Sequence, residues 1–137
     1  MKKTIIALFF LTMTIPALAG TYNYVSPDQV KTWIETKIPV TIVDIQIKEE
    51  FNAHHIIGSL ATYAYPAKTD EDKTKLDNVI SKAVKNSHPV VIVCPRGKGG
   101  AKRSYDYMAA NQIPENRLLI LEGGMVDWPY NEMVKKR

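Results

Sequence analysis

A chain of 137 residues, 45% of them hydrophobic and 23% charged, suits one domain built around one core. Its formal net charge is +4, and Lys2 and Lys3 carry two of those charges, so a nucleic-acid partner has little support. The single cysteine excludes an internal disulfide.

The first segment stands apart. Met1-Lys2-Lys3 is a short basic start, Thr4 to Ile15 is mostly apolar, and Ala17-Leu18-Ala19 is a small-x-small cleavage pattern. That pattern predicts a secretory signal peptide over residues 1–19, cut after Ala19, with one domain over residues 20–137. The apolar run is short of the ~20 residues that span a bilayer, so no membrane attachment is expected once the signal is removed. No lipobox-type cysteine follows. The expected location is the periplasm.

From Ser26 the chain alternates between helical and strand-like patterns. Ser26-Pro27-Asp28-Gln29 predicts a helix start, with Ser26 as cap, Pro27 in the first turn and Gln29 at capping-box spacing. Val30, Trp33 and Ile34 then share one face, and Pro39 ends the segment. Val40 to Ile45 is a β-branched run that predicts a buried strand. Lys48 to Ala53 reads as a short helix and His55 to Ser59 as a further strand. Asp70 to Asn86 carries Leu76, Val79, Ile80, Ala83 and Val84 at helical spacing. Val90 to Val93 is the most strand-like run of all. Ala101 to Asn111 predicts a helix and Arg117 to Leu121 a strand. Gly123-Gly124 breaks the chain before a last helix holding Trp128, and Lys135 to Arg137 form a solvated helix end. Such alternation predicts an α/β domain: a mostly parallel central sheet with helices on both faces.

Cys94 falls at the carboxyl end of the Val90–Val93 strand, before a helix. In open α/β sheets that is the edge where ligands bind. Gly97, Gly99 and Gly100 let the following loop curl tightly and turn its N–H groups inward. Such a nest favours an anion: a thiolate, a persulfide or a substrate oxyanion. A free thiol is only ~3% thiolate at neutral pH, and about 2.7 kcal/mol of selective stabilisation makes the thiolate the major form. A helix terminus contributes about 0.3–1 kcal/mol. Hydrogen bonds to sulfur and the nearby Arg96, Lys98, Lys102 and Arg103 are the candidates for the remainder. A buried inert thiol under a basic turn explains neither the glycines nor the clustered cations.

Other constellations are weaker. The sequence contains no HExxH, no CxxC and no P-loop. His54 and His55 would point to opposite faces of a strand, so one is expected buried and hydrogen-bonded, the other exposed; no metal is expected. Tyr63 and Tyr65 are candidates to line a loop near the site. Of Tyr105 and Tyr107, one should pack and one be solvated. Asp44, at a strand end, is read as capping a loop.

Three stretches together resemble the rhodanese domain of the sulfurtransferase family, over about Pro27 to Trp128. In "VDIQIKEEFNAHHIIGS", Asp44, Glu50, Phe51, His55, Ile56 and Gly58 match the family's Asp-Val-Arg strand and its Glu-Phe-x-x-Gly-His-Ile-x-Gly-Ala. "VVIVCPRGKGG" looks like the strand, nucleophilic cysteine and cradle loop. "LEGGMVDWP" matches Leu-x-Gly-Gly-x-x-x-Trp at Leu121, Gly123, Gly124 and Trp128. The resemblance implies a single rhodanese-like domain with Cys94 as nucleophile. It implies that Cys94 takes the outer sulfur of a small anionic donor such as thiosulfate, carries it as a persulfide and passes it to cyanide or a thiol, with no metal or organic cofactor. The persulfide would be held by the loop N–H groups from Arg96 through Gly97, Lys98, Gly99 and Gly100 to Ala101; Pro95 has none to give. Ping-pong kinetics follow from such a covalent carrier.

The chain departs from the family pattern in three places. Gly99 stands where the loop usually has arginine, and the next Arg-Ser pair, Arg103-Ser104, lies further along. Arg96, Lys98 and Arg103 are then the substrate-contact candidates. Gln46 replaces the arginine of Asp-Val-Arg, and His54 the glycine before the histidine. A cysteine phosphatase or arsenate reductase needs arginine after five intervening residues, where this chain has Gly100. A polysulfide carrier uses the same Cys94. A non-catalytic binding module would be expected to lack the cysteine or the glycines.

Overall fold

The computed structural model describes residues 21–136. The predicted signal peptide lies outside them. Among the described residues, no helix is long and apolar enough to cross a membrane.

Five short strands form the main sheet: β1 (Tyr24–Val25), β2 (Thr41–Asp44), β4 (Leu60–Ala61), β5 (Val90–Val93) and β6 (Leu118–Leu121). Their order is β1-β6-β5-β2-β4, and every neighbouring pair is parallel. β5 is central, with Val43 opposite Ile92 on one side and Val90 opposite Leu118 on the other. All four of its residues are buried, which is why an unbroken β-branched run, rather than an alternating one, marks it. Each such side chain is worth about 1.5–3 kcal/mol of hydrophobic stabilisation.

Alternation along β5 divides the interior in two. Val90 and Ile92 join Val79, Ile80, Tyr105 and Met108, from α4 (Asp77–Ala83) and α5 (Gly99–Ala110). Val91 and Val93 join Val30 of α1 (Pro27–Glu35), together with Met125, Trp128 and Met133. The result is the expected α/β arrangement, a parallel sheet with helices packed on both faces.

Several expectations hold in detail. Ser26 caps α1, its Oγ accepting from Gln29 N–H at 3.2 Å, with Pro27 in the first turn. α2 spans Lys48–Ala53 as predicted. Others need correction. The Asp70–Asn86 segment is two helices, α3 (Asp70–Thr74) and α4, because Lys75 and Leu76 N–H turn to Asp72 and Lys73 O in tight three-residue steps. The Thr69–Asp72 capping box starts α3. The strand at 55–59 is only β3 (His55–Ile56), and it pairs antiparallel with β7 (Val134–Lys135), apart from the main sheet. β4 takes the sheet position instead. The expected helix around Trp128 consists of 3₁₀ turns at Met125–Asp127 and Asn131–Met133, so Lys135 ends in a strand rather than a helix.

This C-terminal strap is tied back across α1. Trp128 Nε1 donates to Tyr130 O at 3.1 Å, Tyr130 Oη donates to Asp28, and Lys31 Nζ sits 4.6 Å from the Tyr130 ring centre.

Candidate active site

Cys94 follows directly on β5 and is 2% exposed. The chain turns sharply after it, and Gly97 N–H donates to Cys94 Sγ at 2.9 Å. Helix α5 begins at Gly99, two residues before the predicted Ala101, so Gly99 and Gly100 belong to its first turn. The N–H groups at Gly99, Gly100 and Ala101 have no acceptor within the helix, and the positive end of the helix dipole faces this turn.

The turn is braced from behind by the Gly123-Gly124 pair. Met125 N–H donates to Cys94 O at 2.8 Å and Val126 N–H to Pro95 O at 3.0 Å. Gly124 has φ 61° and ψ −160°, and a Cβ there would lie 2.3 Å from Cys94 O and 2.6 Å from Arg96 N. Only glycine allows so close an approach. That is the physical reason for glycine at position 124; at Gly123 a Cβ would instead strike the Asp127 side chain, 2.3 Å from Oδ2.

Cys94, Arg96, Lys98, Gly99, Gly100, Arg103 and Tyr65 line one cavity of about 110 Å³. Its walls carry three cations and no carboxylate, a setting that favours an anion. Six of the eight predicted site residues therefore meet here. The other two stand behind them. Gly97 reaches Sγ through its N–H, and Ala101 is fully buried against the sheet, bringing only backbone to the site. Lys102 turns away, its Nζ 5.6 Å from the Tyr22 ring centre. Tyr65, of the expected tyrosine pair, lines the cavity, whereas Tyr63 packs edge-on against Phe51.

Arg103 is oriented by the protein itself. Its Nε and Nη2 both donate to Pro66 O, at 3.1 and 3.0 Å. Nothing in the sequence marks Pro66 as its partner.

Beside the cavity lies a larger groove of about 490 Å³, between α2, the Pro95-Arg96 turn and the C-terminal strap. Glu50, His54, Arg96, Val126 and Trp128 are among its walls. Arg96 borders both spaces; Cys94 borders only the smaller one. Of the adjacent histidines, His55 is buried, stacked on Phe51 with ring centres 3.9 Å apart, and donates from Nδ1 to Phe51 O at 2.8 Å. His54 is half-buried on the groove rather than exposed.

Asp44 lines neither space. It is fully buried at the end of β2, where Oδ1 accepts from Gln46 N–H at 2.8 Å and Oδ2 from Gln46 Nε2 at 2.9 Å. Burial pushes its carboxyl up to about 6; the two Gln46 hydrogen bonds oppose this, and Glu50 adds to it. Its carbonyl accepts from Thr62 N–H and Thr62 Oγ1, both at 3.0 Å, fixing the start of the loop that carries Tyr65. Among the described residues, no three His, Cys, Asp or Glu side chains converge as a metal site.

Comparison with known proteins places the chain. A rhodanese-like domain model matches residues 26–130. No curated protein sequence matches. Similar solved structures include a rhodanese-like domain protein from Staphylococcus aureus, 25% identical, TM-score 0.58, over 84% of this chain and 98% of that one. A thiosulfate sulfurtransferase from Pseudomonas aeruginosa is 11% identical with TM-score 0.60, over 84% of this chain and 20% of that one. Ygr203w, a yeast protein tyrosine phosphatase of the rhodanese family, is 16% identical with TM-score 0.60, over 78% of this chain and 83% of that one. The last two identities speak for the fold alone. With the matched segment spanning both Cys94 and the Gly123-Gly124 brace, the chain belongs to the rhodanese-like domain family.

Proposed function

We propose that this protein is a sulfurtransferase that carries sulfane sulfur on Cys94. One observation carries the reading: the chain's only thiol lies in a small cavity whose side-chain walls offer three cations and no acid, beneath a helix N-terminus.

Chemistry follows from that placement. Cys94 thiolate attacks the outer sulfur of thiosulfate. A new S–S bond forms at Cys94, the donor's S–S bond breaks, and its electron pair leaves with sulfite. The Cys94 persulfide remains, its terminal charge facing the Gly97 N–H and the first turn of α5. Cyanide or a thiolate then attacks the outer sulfur, leaving as thiocyanate or as a new persulfide and restoring the Cys94 thiolate. Arg96, Lys98 and Arg103 hold the donor dianion and help sulfite depart as an anion. Every step needs only this chain and its two substrates.

The residues 1–19 pattern supports export to the periplasm through a cleaved signal peptide. Polysulfide is the alternative donor, entering the same sequence of bonds. Thiocyanate formation from thiosulfate and cyanide tests the reading. Purified protein should show parallel-line, ping-pong kinetics, and Cys94→Ser should show none of the activity. Equal turnover by that variant would refute it.

A further inference from the structure

The cavity over Cys94 is closed on one side by a residue far from the cysteine loop. Tyr65 belongs to the segment after β4, held by Thr62 on Asp44 and by Tyr65 N–H on Ile45 O at 2.8 Å. Its ring lies across the first turn of α5. A Cβ on Gly100 would meet Tyr65 Cδ2 at 2.9 Å and Cε2 at 3.1 Å. Arg103, one turn further along α5, reaches back to the next residue of that segment and donates twice to Pro66 O. Its Nη1 fills the space beside Gly99, 2.9 Å from where a Cβ would begin. Gly99 and Gly100 therefore act as two adjoining sockets, one for a guanidinium and one for an aromatic ring.

From this geometry we infer that Tyr65 is the size filter of the Cys94 cavity and that Arg103 is the positioning residue that latches it. With the ring in place, the space is about 110 Å³ and the thiol is 2% exposed. A compact sulfur anion fits such a space; a donor bearing an aromatic ring does not. The hydroxyl of Tyr65 has no part in this. Cys94 is not among the walls of the larger groove. The inference extends the sulfur-transfer reading by stating which donors fit, namely small inorganic ones over aryl thiosulfonates.

Because Cys94 is the only cysteine, neutral thiol reagents of graded size read the filter without any sulfur transfer. The measurement is the second-order rate with N-methylmaleimide and with N-(1-pyrenyl)maleimide on the folded full chain. Tyr65→Ala should raise the rate with the bulky reagent about tenfold more than the rate with the small one, a usual size for a steric filter of one side chain. Tyr65→Phe should match the wild type. Arg103→Ala should shift the ratio the same way by a smaller factor, and Arg103→Lys, which keeps the charge but not the twofold donation to Pro66 O, should behave like Arg103→Ala. Tyr65→Leu gives an intermediate step if the alanine variant does not fold. An unchanged reagent ratio in both Tyr65→Ala and Tyr65→Leu overturns the inference, as does relaxation by Tyr65→Phe or by Arg96→Ala instead. Because the reagents read only the thiol, either result stands whether or not thiosulfate loads the protein.

Discussion

The guanidinium of Arg103 occupies the space a side chain on Gly99 would need, with Nη1 only 2.9 Å from the Cβ position. The loop position where arginine is expected thus holds no side chain, and an arginine one turn later folds back over it. The cation is kept and its point of attachment has moved.

This pairing gives a double-mutant test. Gly99→Ala should cost little global stability, since alanine is favoured over glycine in a helix by about 1 kcal/mol and the clashing atom is a flexible side-chain end. It should nonetheless dislodge Arg103 from Pro66 O. Gly99→Ala is therefore expected to loosen the cavity as Arg103→Ala does, and the double variant to add nothing further. Bulky-reagent modification rates for the three variants check this; full additivity contradicts the pairing.

Gly124 and Gly58 make a contrasting pair. Both have positive φ, 61° and 81°. A Cβ on Gly124 would strike Cys94 O, Gly97 N and Arg96 N, whereas one on Gly58 would meet nothing within 4 Å. Gly124→Ala should cost about 2–4 kcal/mol and misplace the cysteine turn, while Gly58→Ala should cost about 1 kcal/mol from backbone strain alone. Urea denaturation of both, with equal slopes, gives the comparison.

Asp44 predicts a pH dependence with a definite sign. Its carboxyl is raised to about 6 in the folded chain, from an ordinary 3.8. The folded state therefore holds this proton more tightly than the unfolded one. Its stabilising contribution is complete below about pH 4 and is lost as pH rises through about 6, amounting to something of order 3 kcal/mol. Asp44→Asn should flatten that part of the stability profile. Unfolding midpoints at pH 4.5 and 7 for both proteins measure it, and equal pH slopes would show that Asp44 does not titrate in this window.

The two exposed cations on the cavity should act on charge. Arg96→Ala and Lys98→Ala are each expected to lower kcat/KM for thiosulfate by about three- to tenfold, the ~1 kcal/mol a partly solvated charge contributes. The effect should shrink as salt screens it. The ratio of rates with N-methylmaleimide and N-(1-pyrenyl)maleimide should stay within about twofold for Lys98→Ala, since both uncharged reagents draw on the same thiolate fraction.

Much of this fold was legible because local chemistry and tertiary packing agree. Ser26-Pro27 begins a helix, Val90–Val93 is a buried strand, and the cysteine falls at its carboxyl end. Where the two part, the sequence misleads. Leu76, Val79, Ile80 and Ala83 all belong to α4 and its N-cap, while α3 buries no side chain, so no apolar period marks where one helix stops and the next begins. β1 and β4 have two residues each, too few for a period to appear. The 3₁₀ turns around Trp128 come from a backbone committed to bracing Cys94 and Pro95. In the site, the glycines and cations were readable because they are adjacent to Cys94. The Tyr65–Gly100 contact and the Arg103–Pro66 latch join residues 35 and 37 positions apart, and no local pattern encodes them.

The most direct test of sulfur transfer is the intact mass of the protein after thiosulfate and again after cyanide, beside Cys94→Ser. Wild-type protein is expected to gain one sulfur atom, to lose it to cyanide, and to differ in this from a variant that never gains it. A wild-type protein with a titratable free thiol that takes up no sulfur from thiosulfate or from polysulfide would contradict the assignment of Cys94 as the carrier.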